Sequence, residues 1–247
     1  MKDQNKYSTA RFGLATCFFA SLILILGACS SEPEKLAIAV EKQCRPILDG
    51  IADPCWDDLE EYPINGSLVG NVNWDGENDL SASFKVMQND KDLIFLVKIL
   101  DDIDGKIERQ TLDHYWENDN IEFFFTNSEK LPQGGFTAQD SIFCFNYNSP
   151  SNSLLKVVNV PGGNGDVKFG RKNFDGGYML EILFENQLNV WDVTKDRIPF
   201  NIEVTDNDNE NLEDGFIKGR ESGLAWSLNS ARSSWQETIN YGELIIN

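Results

Sequence analysis

Histidine is almost absent: one, His114, stands in 247 residues, so no multi-histidine metal centre can form. Cysteine is scarce at five, with no Cys-x-x-Cys pair and no cysteine–histidine cluster, which argues against zinc. No Gly-x-Ser-x-Gly elbow supplies a nucleophilic serine. Basic residues are outnumbered, 21 Lys and Arg against 40 Asp and Glu, for a net charge of −19. That surface repels a phosphate backbone, so nucleic acid is not expected as a partner. The apolar run from Phe18 to Leu26 falls short of the roughly 20 residues a spanning helix needs. Helical periodicity and internal repeats are missing. What is present is core material, 41% hydrophobic and 11% aromatic, which excludes a disordered chain.

The short apolar run has a context. Lys2, Lys6 and Arg11 precede it and Leu26-Gly27-Ala28-Cys29 follows it. A basic start, a short greasy middle and small residues at the end describe a secretory signal peptide. The ending resembles a bacterial lipobox, in which the signal is cut before the cysteine and the cysteine is acylated. The expected organisation is a lipoprotein signal peptide over 1–28, lipid attachment at Cys29, a tether over 29–43 and one domain over 44–247. Such a chain is exported and hangs from the bacterial membrane by lipid, on its periplasmic or surface face. A plain signal peptide or an anchor helix is the alternative. Cys44, Cys55 and Cys144 then remain. Export permits a disulfide, and Cys44 and Cys55 are the closest pair; buried free thiols are an equal alternative.

The dominant pattern along the chain has period two. Leu93 to Leu100 is apolar on both parities except at Lys98 and reads as a central strand. Ile121, Phe123 and Phe125 alternate with Glu122 and Thr126; Phe143 and Phe145 alternate with Ile142 and Cys144. Tyr178 to Phe184 alternates too, and Ile198, Phe200, Ile202 and Val204 face away from Asn201 and Glu203. Leu224, Trp226 and Leu228 repeat the pattern, and Leu244 to Ile246 close the chain. Turn residues separate the runs, as at Gln88 to Lys91 and Asp175 to Gly177. One short helical turn, with proline near its start, is expected between Asp53 and Glu60. Strands with one apolar face each imply an all-β fold, a single antiparallel β-sandwich of jelly-roll-like kind.

One tryptophan is out of place. Trp116 stands in the polar turn His114 to Asn120, just before the aromatic strand. The ordered blocks around it are ILDGIADPCWDDL, FKVMQNDKDLIFLVKILDD, YWENDNIEFFF, GGYMLEILF, IPFNIEVTDND and GLAWSLNSARSSWQETINYGELII. This set resembles carbohydrate-binding module family 9, in the broad sense that includes sugar-binding relatives in bacterial lipoproteins, over about residues 44–246. The resemblance implies a sandwich that holds a sugar between two tryptophans without transforming it. Carried over by position, these are Trp116 and Trp235, with Glu122 on the strand after the first. Two positions depart from the family pattern: Cys144 stands where an arginine is expected, and Arg232 where an asparagine is. Recognition of free reducing ends is therefore not carried over, and Arg232 joins the candidate sugar contacts. Aromatic faces suit the C–H faces of a pyranose, and charged acceptors suit its hydroxyls. An oligo- or polysaccharide is the implied ligand, and glycan-uptake or glycan-degrading proteins are the implied partners.

Asp206 and Asp208 put oxygen ligands at alternate positions, which suits calcium. An EF-hand would need glycine where Asn211 stands. The resemblance implies the same ion in a structural role; no cofactor is required for binding. Two other functions remain as alternatives. A glycoside hydrolase, or an accessory domain of one, needs two carboxylates about 5–10 Å apart, and among many acids nothing singles out a pair. A haem-binding electron-transfer sandwich would draw its axial ligands from His114, Met87, Met179 or a lysine, the two methionines placed within strand patterns. Trp56, Trp191 and Trp226 sit beside apolar neighbours and are expected in the core, with Trp74 in a loop.

Overall fold

The computed structural model describes residues 36–68, 74–102, 119–127, 137, 140–146, 154–158, 167–186, 190–192, 194–208, 222–227, 238 and 241–246. All lie within one compact unit, 35–247. Its strands are β1 (Ala37–Lys42), β2 (Tyr62–Ile64), β3 (Gly66–Ser67), β4 (Leu80–Asn89), β5 (Asp92–Asp101), β6 (Asn120–Thr126) and β7 (Asp140–Asn146). They continue with β8 (Leu154–Val158), β9 (Lys168–Phe174), β10 (Gly177–Phe184), β11 (Arg197–Asp206), β12 (Ser222–Ala225) and β13 (Gly242–Ile246). A 3-10 turn stands at Pro54–Trp56, with proline at its start.

The alternating strands pair in the order β8-β7-β6-β11-β13-β1-β4-β5-β10-β9. β1 belongs to both layers: it pairs with β13 through Ala37 to Val40 and with β4 through Glu41 and Lys42, each time in parallel. The other pairings among the described strands are antiparallel, as a β-sandwich of this kind requires. Ile38 and Val40 of β1 alternate with exposed Ala37 and Ala39 and are buried in the core.

The two layers enclose a core rich in phenylalanine. Phe95 of β5 lies 5.2 Å from Phe123 and from Phe200 and 5.7 Å from Phe184, ring centre to ring centre. Trp191 and Trp226 join this cluster, as expected. Truncating such a ring costs about 3–5 kcal/mol. The inward row of each strand matches its sequence parity: Leu93, Phe95, Val97 and Ile99; Ile121, Phe123 and Phe125; Ile198, Phe200, Ile202 and Val204. All seven residues of β6 are buried, so its outward row is covered as well.

A loop covers the outer face of β5 and β10. Cys44 and Cys55 are disulfide-bonded with Cα atoms 5.9 Å apart. Beneath the loop, Trp56 and Leu59 pack with Ile94, Leu96, Met87 and Leu183. Glu181, fully buried on β10, latches the loop. It accepts hydrogen bonds from the Asp49 and Gly50 amides at 3.0 Å each and from the Trp56 indole at 2.9 Å. Burial pushes its carboxyl up from the ordinary value, and the three donors pull it back. The approach is close enough to demand glycine: Gly50 has φ +77°, and a Cβ there would lie 2.3 Å from the Lys172 amide nitrogen.

Candidate functional site

Outward residues of β6, β7 and β11 share the face opposite the phenylalanine core. Across the ladder, Cys144, Glu122, Glu203 and Ala225 are direct neighbours in that order. Cross-strand partners carry their Cβ atoms about 5 Å apart, so the two glutamates stand side by side. Glu122 is 5% exposed and Glu203 1%. The next row holds Ile142, Phe124 and Asn201. The Tyr241 ring lies 6.1 Å from that of Phe124 at 61°. Ser227 donates to Asn201 Oδ1 through its amide at 2.9 Å and its hydroxyl at 2.8 Å.

Further along β7 sits Asp140, fully buried and paired across the ladder with Thr126. Its Oδ2 accepts from the Thr137 amide at 2.6 Å and the Thr137 hydroxyl at 2.9 Å. Its Oδ1 is buried with no hydrogen-bond partner. Two neutral groups report the local field. Burial first, then Glu203, Asp140 and Glu122, push the Tyr241 hydroxyl well above its ordinary range. Burial, then Glu122, do the same to the Cys144 thiol.

A second cluster closes one end of the sandwich. Carboxylate oxygens of Asp101, Asp119 and Asp206 lie within 4.8 Å of one another, and all three residues are buried. Asp79, Asp102 and Asp208 form a second triad on the same criterion, nearer the surface. Asp206 Oδ2 accepts from the Ser222 hydroxyl at 3.3 Å, while Oδ1 has no hydrogen-bond partner. Burial pushes the Asp206 carboxyl up to about 9, assisted by Asp119, Asp208, Asp101 and Asp79. An all-oxygen, all-carboxylate donor set with an orphaned buried oxygen suits a hard divalent cation.

Expected residues fall unevenly on this geometry. Glu122 lies on the outer face of β6, and Asp206 and Asp208 fall in the two adjoining triads. Trp116, Trp235, Arg232, His114 and Cys29 lie outside the described residues. Trp74 is 44% exposed, its indole donating to the Leu80 carbonyl at 2.9 Å. Met87 and Met179 pack in the apolar cluster around Trp56, filling the space beneath the loop.

Sequence reasoning passed over Glu203 and Asp79 as site residues; Asp101 and Asp119 stood out only as members of acidic stretches and were not chosen as ligands. Glu203 shared the outward parity of its strand with Asn201. Asp101 and Asp119 extend inward rows: Asp101 follows Val97 and Ile99, and Asp119 precedes Ile121 and Phe123. Asp206 likewise extends the row of Ile202 and Val204. An aspartate ending an apolar row was the available signal. Asp79 carried none.

Comparison with known proteins places this architecture. A family model described as carbohydrate family 9 binding domain-like matches residues 47–247. An endo-1,4-β-xylanase A of Thermotoga maritima is 24% identical over 216 residues, covering 85% of this chain and 18% of that protein. The chain thus spans under a fifth of that relative's length. Two solved structures of a family 9 carbohydrate-binding module from Caldicellulosiruptor kristjanssonii share the fold. The complex with glucose has a TM-score of 0.60 at 19% identity, covering 85% of this chain and 95% of that one. The complex with cellotriose has a TM-score of 0.62 at 18% identity, covering 85% and 93%.

Proposed function

Because the chain belongs to the carbohydrate family 9 binding domain-like family, we propose that it binds carbohydrate without transforming it, at the bacterial cell envelope. In this reading the sugar stacks between Trp116 and Trp235, and Glu122 and Arg232 bond its rim hydroxyls. The observation that carries it is the position of Glu122, outward on β6 beside a second carboxylate and clear of the packed core. Buried acceptors of this kind hold hydroxyl groups firmly, because leaving them unmatched is costly.

Calorimetric titration with glucose and cellotriose tests the reading. Trp116→Ala and Trp235→Ala should each weaken binding by about 10- to 100-fold, as for an aromatic anchor, with the melting temperature nearly unchanged. An unfolded variant would place that tryptophan in the core instead. The cross-strand pairing of Glu122 with Glu203 favours one further reading, a glycosidase, which works with a pair of carboxylates. Release of glucose from cellotriose would establish it, and intact cellotriose after long incubation would dismiss it.

The aspartate triad at the end of the sandwich is read as a structural calcium site, with Asp101, Asp119 and Asp206 as ligands and Asp208 beside them. A bound cation would neutralise the carboxylates and tie three strand ends together. Lipid attachment at Cys29 would hold the domain at the membrane beside glycan-degrading or glycan-uptake proteins. Loss of membrane fractionation in Cys29→Ala tests that attachment.

A further inference from the structure

Trp74 is turned the wrong way for a packing residue. A tryptophan that serves the core sinks its rings and leaves its polar edge toward water. Here the indole nitrogen donates inward, to the carbonyl of fully buried Leu80 at 2.9 Å. The residue is nevertheless 44% exposed, so what it shows to solvent is mainly ring carbon. The turn that carries it is held by its own bonds. Asp79 Oδ2 accepts from the Asp75 amide at 3.0 Å. The Asp79 and Leu80 amides donate to the Gly76 carbonyl at 3.2 Å each, and the Ser81 hydroxyl donates to the Glu77 carbonyl at 2.8 Å. A ring held this way loses little freedom when a ligand covers it.

Its neighbours select the occupant. Asp75, Glu77 and Asn78 follow it in the turn and are exposed, and their oxygens accept from hydroxyl groups. The other large apolar residues exposed among the described ones, Leu36, Ile47 and Ile51, belong to other segments. A protein partner would need a wider apolar patch, and a net charge of −19 repels nucleic acid. One ring face with carboxylates and an amide beside it matches a pyranose, with C–H groups on its face and hydroxyls around its edge.

The turn also has a telling place in the fold. Leu80 opens β4 opposite Asp101, the last residue of β5. Asp101 meets Asp119 and Asp206 in the buried triad, and Glu122 lies three residues beyond Asp119. Trp74 and Glu122 therefore lie toward the same end of the sandwich. Resting on the reading of Glu122 as a contact of the sugar slot, we propose that Trp74 is a second sugar-stacking surface, which engages a further unit of a glycan chain held in that slot. Two linked contacts raise affinity without tightening either one, so the domain favours longer chains over monosaccharides.

The test is calorimetric titration of the full chain in detergent with glucose and with cellohexaose. The unaltered chain should bind cellohexaose at least about tenfold more tightly than glucose. Trp74→Ala should lower the cellohexaose affinity about tenfold, as for a lost aromatic anchor, and leave glucose within about twofold. Trp74→Phe keeps a ring and gives up the bond to Leu80, and should retain most of the cellohexaose affinity. Cellohexaose bound no more tightly than glucose, or equally well by Trp74→Ala, would overturn the second surface and leave the slot standing. Equal losses in the alanine and phenylalanine variants, or loss of both sugars in Trp74→Ala, would make the indole a support for its turn and overturn the proposal as well. Failure of both sugars to bind the unaltered chain would overturn the slot reading itself, and the second surface with it.

Discussion

Replacing Asp206 by Asn sets two effects of opposite sign against each other. Without metal, three ionised carboxylates with oxygens within 4.8 Å of one another would repel by about 3 kcal/mol per pair at an effective dielectric constant of about 20. Burial and this repulsion push Asp206 up to about 9, so at neutral pH it must take up a proton on folding, which costs a few kcal/mol. Asparagine keeps the shape and needs no proton, so the metal-free variant should be a few kcal/mol more stable than the unaltered chain. In a domain of this length each kcal/mol moves the melting temperature by about 2–4 °C. The variant in EGTA should therefore melt some 5–10 °C higher. Calcium acts the other way: at 100 times its dissociation constant a ligand adds about 2.7 kcal/mol. The unaltered chain should gain roughly 5–10 °C with calcium, and the variant, short of one anionic ligand, much less. Thermal unfolding followed by circular dichroism, with and without calcium, reads both arms. If the substitution lowers the melting temperature equally in calcium and in EGTA, the carboxylate serves as a hydrogen-bond acceptor and the cation reasoning fails. It fails equally if calcium leaves the unaltered chain where it was.

Other perturbations test the loop over β5 and β10. Glu181→Gln presents an amide N–H₂ to donors that now meet a carboxylate. Unmatched buried donors cost about 2–4 kcal/mol in all, so a thermal melt should fall by roughly 5–10 °C, and a fall under 2 °C would refute the latch. Serine at both Cys44 and Cys55 opens a loop of sequence separation 11, worth about 3 kcal/mol of chain entropy. Reductant on the unaltered chain should reproduce that loss by denaturant titration. Gly50→Ala drives a methyl group against the Lys172 backbone at a positive φ. It should raise hydrogen exchange at residues 44–56 before it affects β6.

Alternation made the layers legible. Among the described residues the inward rows named from the sequence line the core, because one face of each strand packs against the other layer and a one-residue slip would turn that face to solvent. β1 was hidden: Ala37 and Ala39 carry no polar signal on the outward parity, and its parallel pairing joins chain ends some 200 residues apart. The side-by-side placement of Glu122 and Glu203 was hidden for a different reason. Parity assigns each to the outer face of its own strand, but only the register of β6 on β11 makes them neighbours, and register across a long connection is not written in either strand alone.

The aspartates at the row ends show what parity could still have yielded. On β5 the row Leu93, Phe95, Val97, Ile99 ends in Asp101; just before β6, Asp119 begins the row of Ile121, Phe123 and Phe125; on β11 the row from Ile198 to Val204 ends in Asp206. Three strands thus carry an acid at the place where the next apolar residue would face the core. One such acid is a solvated strand end. Three brought together, each with little or no exposure, put several like charges where ionised groups are stable only when paired or bound to metal. Asp119, just before β6, and Asp206 on β11 lie three residues from Glu122 and Glu203. Whatever neutralises the triad therefore also holds the two strands in the register that sets those glutamates side by side. Calcium and sugar should consequently bind cooperatively, with glucose affinity falling when calcium is chelated, and equal affinities in calcium and EGTA would separate the two sites.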